Sequence, residues 1–440
     1  MTSDRHLPHS LDAERAVLGA MLLDASATYI VGSVLKGEDF FREAHQAIYR
    51  AIVAVVERGV EADVLTVKNE LQKRGELDDV GGPVYLAALG NGLPRATNVE
   101  YYARIVREKA TLRAIIKTAE TMKAAAYEAS DDATEIIDVA ERAMVTVTQD
   151  AASGDLVFLE ALVPDAMALL EQITETKRPV TGLETGWRAL DGPTRGLQPG
   201  NLIVLGGRPG EGKSAFALQL ALHAAKAGPV AFFSMEMNRE ELTTRALAQV
   251  ARVNHHDMMR GHLCDADQGK VGRARLDLEQ RQLAIDDTAA LTPFQIRSKA
   301  KTVQARSGLK LVVVDYLQLL QRPRHAHSRE EAVADNTWAL KVLAGELKVP
   351  VVALSQLNRG SVKDERRPTL SDLRESGAVE QHANVVLLLY RPPSESNGVV
   401  NVTPMTELLI AKQRNGPSQW AIDMVFQAES MRFEEADTRH

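Results

Sequence analysis

Residues Gly207–Ser214 read GRPGEGKS, a complete G-x-x-x-x-G-K-[S/T] run. The run lies between an apolar stretch, NLIVL (201–205), and a helix-forming stretch, SAFALQLALHAAKAG. It works only as the turn between a buried strand and a helix, so it fixes the local fold. The glycines let backbone N–H groups close around phosphate oxygens, and the amino end of the helix adds its positive dipole. Gly207, Arg208, Pro209, Gly210, Glu211, Gly212, Lys213 and Ser214 are therefore candidate nucleotide-binding residues. Lys213 is placed for the β- and γ-phosphates of a triphosphate such as ATP, and Ser214 for a magnesium ion, Mg2+.

A strand–loop–helix unit needs a sheet around it. Strand-like runs recur at 201–205, 230–235 (VAFFSM), 283–286 (LAID), 311–315 (LVVVD), 349–355 (VPVVALS), 384–390 (NVVLLLY) and 407–411 (ELLIA). Helical patterns of 10–20 residues separate the first five, which predicts an α/β fold with a parallel sheet. Ligands of such sheets sit at the carboxyl ends of the strands. Three further candidates stand at those ends. Asp315 closes LVVVD, and a carboxylate there is costly to bury unless a cation compensates it. Glu236 follows FFSM and is placed to polarise an attacking water. Gln356 follows VVALS, and its amide is suited to hydrogen-bond a γ-phosphate. Read singly, Asp315 is also explained as a helix cap and Glu236 as a surface acid opening a helix.

The first 150 residues have a different texture. LDAERAVLGAMLLD after Ser10, AHQAIYRAIVAVVERG closing on Gly59, and ADVLTVKNELQKRG closing on Gly75 carry apolar residues at helical spacing. GGP and NGLP punctuate residues 81–94. Two longer helical patterns, 98–126 and 133–149, predict a hairpin that needs a partner surface, although an ordinary bundle face explains them equally well. Residues 151–180 read as a flexible break followed by one isolated helix, a linker between a helical domain (1–150) and the α/β domain (181–440).

Composition excludes several classes. A net charge of −7 with 5% aromatic residues argues against a protein that coats nucleic acid along its whole surface, though not against a local basic channel. The single cysteine, Cys264, rules out an intrachain disulfide or a cysteine zinc cluster and fits a reducing compartment. No apolar run approaches the roughly 18–20 residues needed to cross a bilayer. Acids inside the first apolar segment make it a poor signal peptide. These features predict a cytoplasmic protein without a membrane partner. The last strand pattern lies near the C-terminus, so no further module is expected beyond it.

Positive charge is concentrated in three places. Gln321–Arg329 (QRPRHAHSR) carries three arginines and two histidines with no acid, and Asn358–Arg374 carries five cations against three acids. Both follow strand ends and are plausible phosphate contacts, or simply solvated loops. The third is the end of TELLIAKQRNGP (406–417), where Lys412 and Arg414 leave a strand on the same side, next to an Asn-Gly-Pro turn. They read either as a solvated pair or as a held anion site.

Taken in order, TGLETGWRALD, GRPGEGKS, FFSMEM, LVVVDYLQLL, VALSQLNR, SDLRESGAVEQHANVVLLLYR and AKQRNGP resemble the bacterial and phage replicative DNA helicases of the DnaB type. SLDAERAVLGAMLLD, AHQAIYRAI and NVEYYARIVRE resemble the helical domain of the same family, so the resemblance runs from about Pro8 to Phe433. It implies a RecA-like P-loop motor domain, an all-α N-terminal collar and a linker helix that docks on a neighbouring motor. It implies a homohexameric ring that moves 5′→3′ on single-stranded and forked DNA, in the nucleoid, with primase and a helicase loader as partners. By motif, Lys213 and Ser214 hold phosphates and magnesium, Asp315 positions the metal, Glu236 is the catalytic base and Gln356 a phosphate sensor. Arg374, Glu375 and Gly377 match the loop that touches DNA in the channel. In a ring, Arg414 becomes an arginine finger reaching a neighbour's nucleotide, assisted by Lys412. The loop 321–330 and Trp338, where a smaller or polar residue is expected, depart from the pattern. A RecA-like repair ATPase forming filaments on DNA is the alternative reading. A non-enzymatic assembly factor with a vestigial site is disfavoured by the intact Lys213, Ser214, Glu236 and Asp315.

Overall fold

The structure, a computed structural model, describes residues 6–90, 98–128, 158–176, 180–322, 326, 328–357, 366–373, 376–396, 399–402, 405–418 and 420–436. The chain divides into two compact units, Met1–Val157 and Phe158–His440.

The first unit is helical: α1 (Leu11–Leu23), α2 (Ala25–Val34), α3 (Glu43–Glu57), α4 (Val64–Arg74), α5 (Gly82–Gly90) and α6 (Val99–Glu128). Ser10 caps α1 by accepting the Ala13 N–H, and Asp63 caps α4. Gly75 ends α4 in the left-handed region, φ 73°, where a side chain is strained. Residues 81–94, read from sequence as punctuation, contain α5, because Pro83 in a first turn removes only an N–H that has no partner anyway. The core holds one buried polar chain. Glu14, 1% exposed, accepts the Phe41 N–H at 2.7 Å and contacts His45 Nδ1 at 2.6 Å. His45 Nε2 in turn meets the Tyr85 hydroxyl at 2.7 Å. The second helix of the expected hairpin, 133–149, lies outside the described residues.

The second unit opens with Phe158 and α7 (Leu159–Thr176); Phe158 and, in the helix, Leu159, Leu162, Val163, Met167 and Leu170 are exposed. Its helices are then α8 (Arg188–Thr194), α9 (Lys213–Ala224), α10 (Arg239–Ala251), α11 (His255–Met259), α12 (Asp265–Glu279), α13 (Pro293–Ser307), α14 (Arg329–Leu347) and α15 (Ser376–His382). Its strands are β1 (Leu202–Gly207), β2 (Val230–Ser234), β3 (Leu283–Asp286), β4 (Leu311–Asp315), β5 (Val351–Gln356), β6 (Val385–Tyr390), β7 (Pro393–Ser396), β8 (Val399–Val402), β9 (Met405–Gln413), β10 (Trp420–Gln427) and β11 (Arg432–Glu435). Nine strands form one sheet in the order β11-β10-β9-β6-β1-β5-β4-β2-β3, and β7 and β8 form a separate hairpin. The pairs among β6, β1, β5, β4, β2 and β3 are parallel, while β9, β10 and β11 extend the sheet in antiparallel fashion. The central strands β1, β2 and β4 are buried at every position, which is why they read as unbroken apolar runs. A separate apolar core covers each face of the sheet. Among the described residues no helix is long and apolar enough to cross a membrane.

Strand direction decides the fate of the C-terminal cations. β9 runs against β6, so Gln413 lies opposite Val385, which itself lies opposite Ile203 at the start of β1. Lys412 and Arg414 therefore stand at the edge of the sheet where β1 begins. The loop 207–214 leaves the other edge, about 15 Å along the strand at ~3.3 Å per residue.

Candidate functional site

The phosphate loop leaves β1 at Gly207, which pairs with Gln356 at the end of β5. Gly210 and Gly212 have φ values of 84° and 91°, a region that glycine reaches without strain. A Cβ on Gly212 would also lie 2.9 Å from the Phe433 ring, so β11 is the floor of the loop. Phe433 is fully buried, edge-on to Phe216 at 5.4 Å. Gln219 of α9 clasps it on both sides, accepting its N–H at 2.8 Å and donating to its carbonyl at 2.9 Å.

The candidate catalytic side chains meet at this end of the sheet. Lys213 Nζ donates to the carbonyls of Gly207 (2.9 Å) and Arg208 (3.0 Å). Burial lowers its pKa, opposed by the charges of Glu211, Asp315 and Glu236. Asp315 is 1% exposed and hydrogen-bonded to Ser214. Burial, reinforced by the Glu236 charge, pushes its carboxyl up to about 6. Glu236 is exposed on the turn after β2, which Ser234 holds by donating to the Met237 carbonyl (2.7 Å) and accepting the Met237 N–H (3.1 Å). Gln356 is hydrogen-bonded to the Tyr316 hydroxyl, and its N–H donates to Gln318 Oε1 at 3.4 Å. Four strand ends, those of β1, β2, β4 and β5, thus contribute to one site.

Asp315 Oδ2 is buried with no hydrogen-bond partner among the described residues. A buried, unsatisfied carboxylate oxygen beside a serine hydroxyl fits a small hard cation, which takes one or two protein oxygens and completes its shell with phosphates and water. A stability consequence follows. The folded-state pKa of Asp315 lies above the unfolded value of ~3.9, so its favourable contribution is complete below that value and is lost as pH rises through about 6. At pH 7.5 without a cation the ionised group costs on the order of 3 kcal/mol. Asp315→Asn is expected to raise the unfolding temperature of the nucleotide-free α/β unit by several degrees at pH 7.5, with the gain vanishing near pH 4. Calorimetry across that range checks this, and equal or lower stability at pH 7.5 would contradict it.

Other sequence candidates lie apart. Arg414 Nη2 donates to the Gln381 carbonyl at 2.7 Å, and Lys412 Nζ donates to that of Glu380. Both cations thus sit at the carbonyl end of α15, where positive charge is favoured. Gly377 is exposed in α15, whereas Arg374 and Glu375 lie outside the described residues, as do His325 and His327. Of the basic loops, Arg366 pairs with Asp372 (2.6 Å) and Arg367 with Glu407 (2.7 Å). Arg322 donates to the Ala326 carbonyl. Trp338 is 55% exposed and tilted against His382 at 5.0 Å.

Sequence reasoning missed the β11 floor of the loop and a pocket beside it. Arg391, directly after β6, lies over the Phe426 ring at 4.8 Å, in a pocket completed by Arg252, Asn254 and residues 427–430. Phe426 also lies 3.3 Å from where a Cβ on Gly212 would be, so this pocket adjoins the phosphate loop. Nothing in the local sequence marks it, because one of the two residues that define it follows β6 and the other lies in β10.

Comparison with known proteins places these features in a family. The chain matches the DnaB-like helicase N terminal domain over residues 6–108 and the DnaB-like helicase C terminal domain over residues 182–435. It is 39% identical to the replicative DNA helicase DnaB of Geobacillus stearothermophilus, over 94% of this chain and 92% of that protein. It is 38% identical to the replicative DNA helicase DnaC of Bacillus subtilis, over 95% and 92%. Among solved structures it is similar to a DnaB-like replicative helicase described with its interactions with primase (28% identity, TM-score 0.68, 97% of this chain and 100% of that one). It is also similar to a solved ATPase domain (32% identity, TM-score 0.58, 64% and 100%). A helical N-terminal unit, a RecA-like sheet with its phosphate loop, and identity of this extent over nearly the whole length establish that the chain belongs to the family of DnaB-like replicative helicases.

Proposed function

We propose that this chain is an ATP-hydrolysing replicative DNA helicase that works as a homohexameric ring, encircling one strand and moving 5′→3′ along it. The observation that carries the reading is the division of its charged groups. Lys213, Ser214, Glu236, Asp315 and Gln356 stand at one edge of the sheet, and Lys412 and Arg414 at the other. Two half-sites on opposite edges suit a head-to-tail ring, in which each copy completes the site of the next.

In this reading the backbone of 207–214 cradles the phosphates, and the pocket under Arg391 and Phe426 takes the base. Ser214 and Asp315 would hold Mg2+, which when bound neutralises charge on the phosphoryl oxygens. Glu236 accepts a proton from the attacking water as the bond to the γ-phosphorus forms and the bond to the leaving ADP breaks. Gln356 hydrogen-bonds the γ-phosphate and so distinguishes ATP from ADP. Arg414, with Lys412, reaches the neighbour's γ-phosphate. Residues 1–150 are the collar that meets primase, 151–180 the linker whose exposed apolar face docks on the next subunit, and 181–440 the motor. Arg374, Glu375 and Gly377 line the channel, and a loader opens the ring onto DNA.

Strand displacement on a forked duplex tests this directly. Blocking the 5′ tail is expected to abolish unwinding and blocking the 3′ tail to spare it. The reverse pattern, or indifference to both, would rule out this polarity. For the channel, Arg374→Ala is expected to weaken single-strand binding equally for all sequences and to lower the salt slope by about one. Unaltered affinity and slope would move the DNA contact elsewhere.

A further inference from the structure

The phosphate loop carries an acid, Glu211, in a place built to bind anions. Glu211 is 7% exposed. Its Oε2 accepts the N–H of Arg208, and the carboxylate also accepts the N–H of Arg391. It thereby ties the start of the loop to the residue after β6, the one whose guanidinium lies over Phe426. A Cβ on Gly207 would lie 3.1 Å from Glu211 Oε2 and 3.1 Å from Lys213 Cγ, so the carboxylate and the lysine stem pack against the same backbone atom. The charged groups facing it are Arg208, Lys213 and Arg391.

Two consequences follow from that position. The carboxylate spans two segments that a nucleotide would have to contact together, the phosphate loop and the base pocket. It also places an acid within the loop, shielded from water, whose ionised form opposes any bound polyphosphate. Burial pushes the Glu211 carboxyl above its ordinary value, opposed by the N–H donors of Arg208 and Arg391 and by the charges of Arg208 and Lys213.

We propose that Glu211 is a positioning residue for the ATPase reaction, bracing the loop against the end of β6 while its charge weakens the hold on anionic nucleotide and so promotes release of ADP. The proposal rests on the reading that residues 207–214 bind nucleotide.

Glu211→Gln tests it, because the amide keeps the shape and one acceptor oxygen but removes the charge. Affinities for ADP and for a non-hydrolysable ATP analogue are measured on the full chain with magnesium. The expected result is about 5-fold tighter ADP binding, a larger gain for the more highly charged ATP analogue, and a fall in both gains with added salt. Glu211→Val removes charge and acceptors together and is expected to lose hydrolysis rate even where affinity is kept. A purely structural glutamate would give weaker or unchanged binding in both variants, and unchanged or weaker ADP binding in Glu211→Gln overturns the proposal. Failure of the wild-type chain to bind ATP or ADP would instead refute the nucleotide reading itself.

Discussion

Arg414→Ala subunits mixed with Lys213→Ala subunits are expected to hydrolyse ATP, although neither variant does so alone. On the proposed reading the first variant keeps its phosphate loop and the second keeps Arg414, so a mixed ring would contain interfaces where both are intact. Strand direction makes the two groups separable. β9 runs antiparallel to β6, which puts Arg414 and its own Lys213 at opposite edges of one sheet. A planar guanidinium matched to the charge on a transferring phosphoryl group contributes roughly 10³-fold or more in rate. Arg414→Lys keeps the charge but not the fork, and is expected to remain largely inactive. The cap on α15 supplies the competing account, since Arg414 donates to the Gln381 carbonyl. Were that its whole role, mixtures would stay inactive with subunit exchange independently confirmed.

Glu236→Gln is expected to bind ATP as the wild type does and to hydrolyse it about 10²-fold more slowly or worse, the usual effect of losing a general base. The turn 235–237 is fixed by Ser234, and Glu236 projects from it beside Asp315 and Lys213. The amide keeps the size and the turn, so folding and assembly should be untouched. Lys213→Ala is the contrasting control, because it removes the ammonium and with it productive binding. Wild-type turnover in Glu236→Gln would assign the base to another residue.

Some of this was legible in the sequence because the physics is local. Strands buried on both faces must be continuously apolar, and β1, β2, β4, β5 and β6 all read that way. The phosphate loop was legible because only a strand–loop–helix context makes it useful, and the strand-end acids were legible because burying them needs a reason. The antiparallel β10 and β11 were not. WAIDMVFQ carries a charge and half-buried positions, as an outer strand does, and RFEE is too short for a period to show. The helix α2 was hidden by β-branched and small residues, and α5 by glycines on either side. Within the site, Glu211 occupies a motif position open to any residue, so its burial and two N–H partners come only from the fold. Arg391 follows β6 and Phe426 lies in β10, strands separated by β9, and no spacing rule joins them.

The clasp between Gln219 and Phe433 joins residues 214 positions apart. Its consequence is temporal. Chains emerge from the ribosome amino end first, so the phosphate loop leaves long before the strand that forms its floor. A chain that stops before β11 lacks the Phe433 ring under Gly212 and both hydrogen bonds to Gln219. Seating of the phosphate loop therefore waits for a strand synthesised far later than the loop itself.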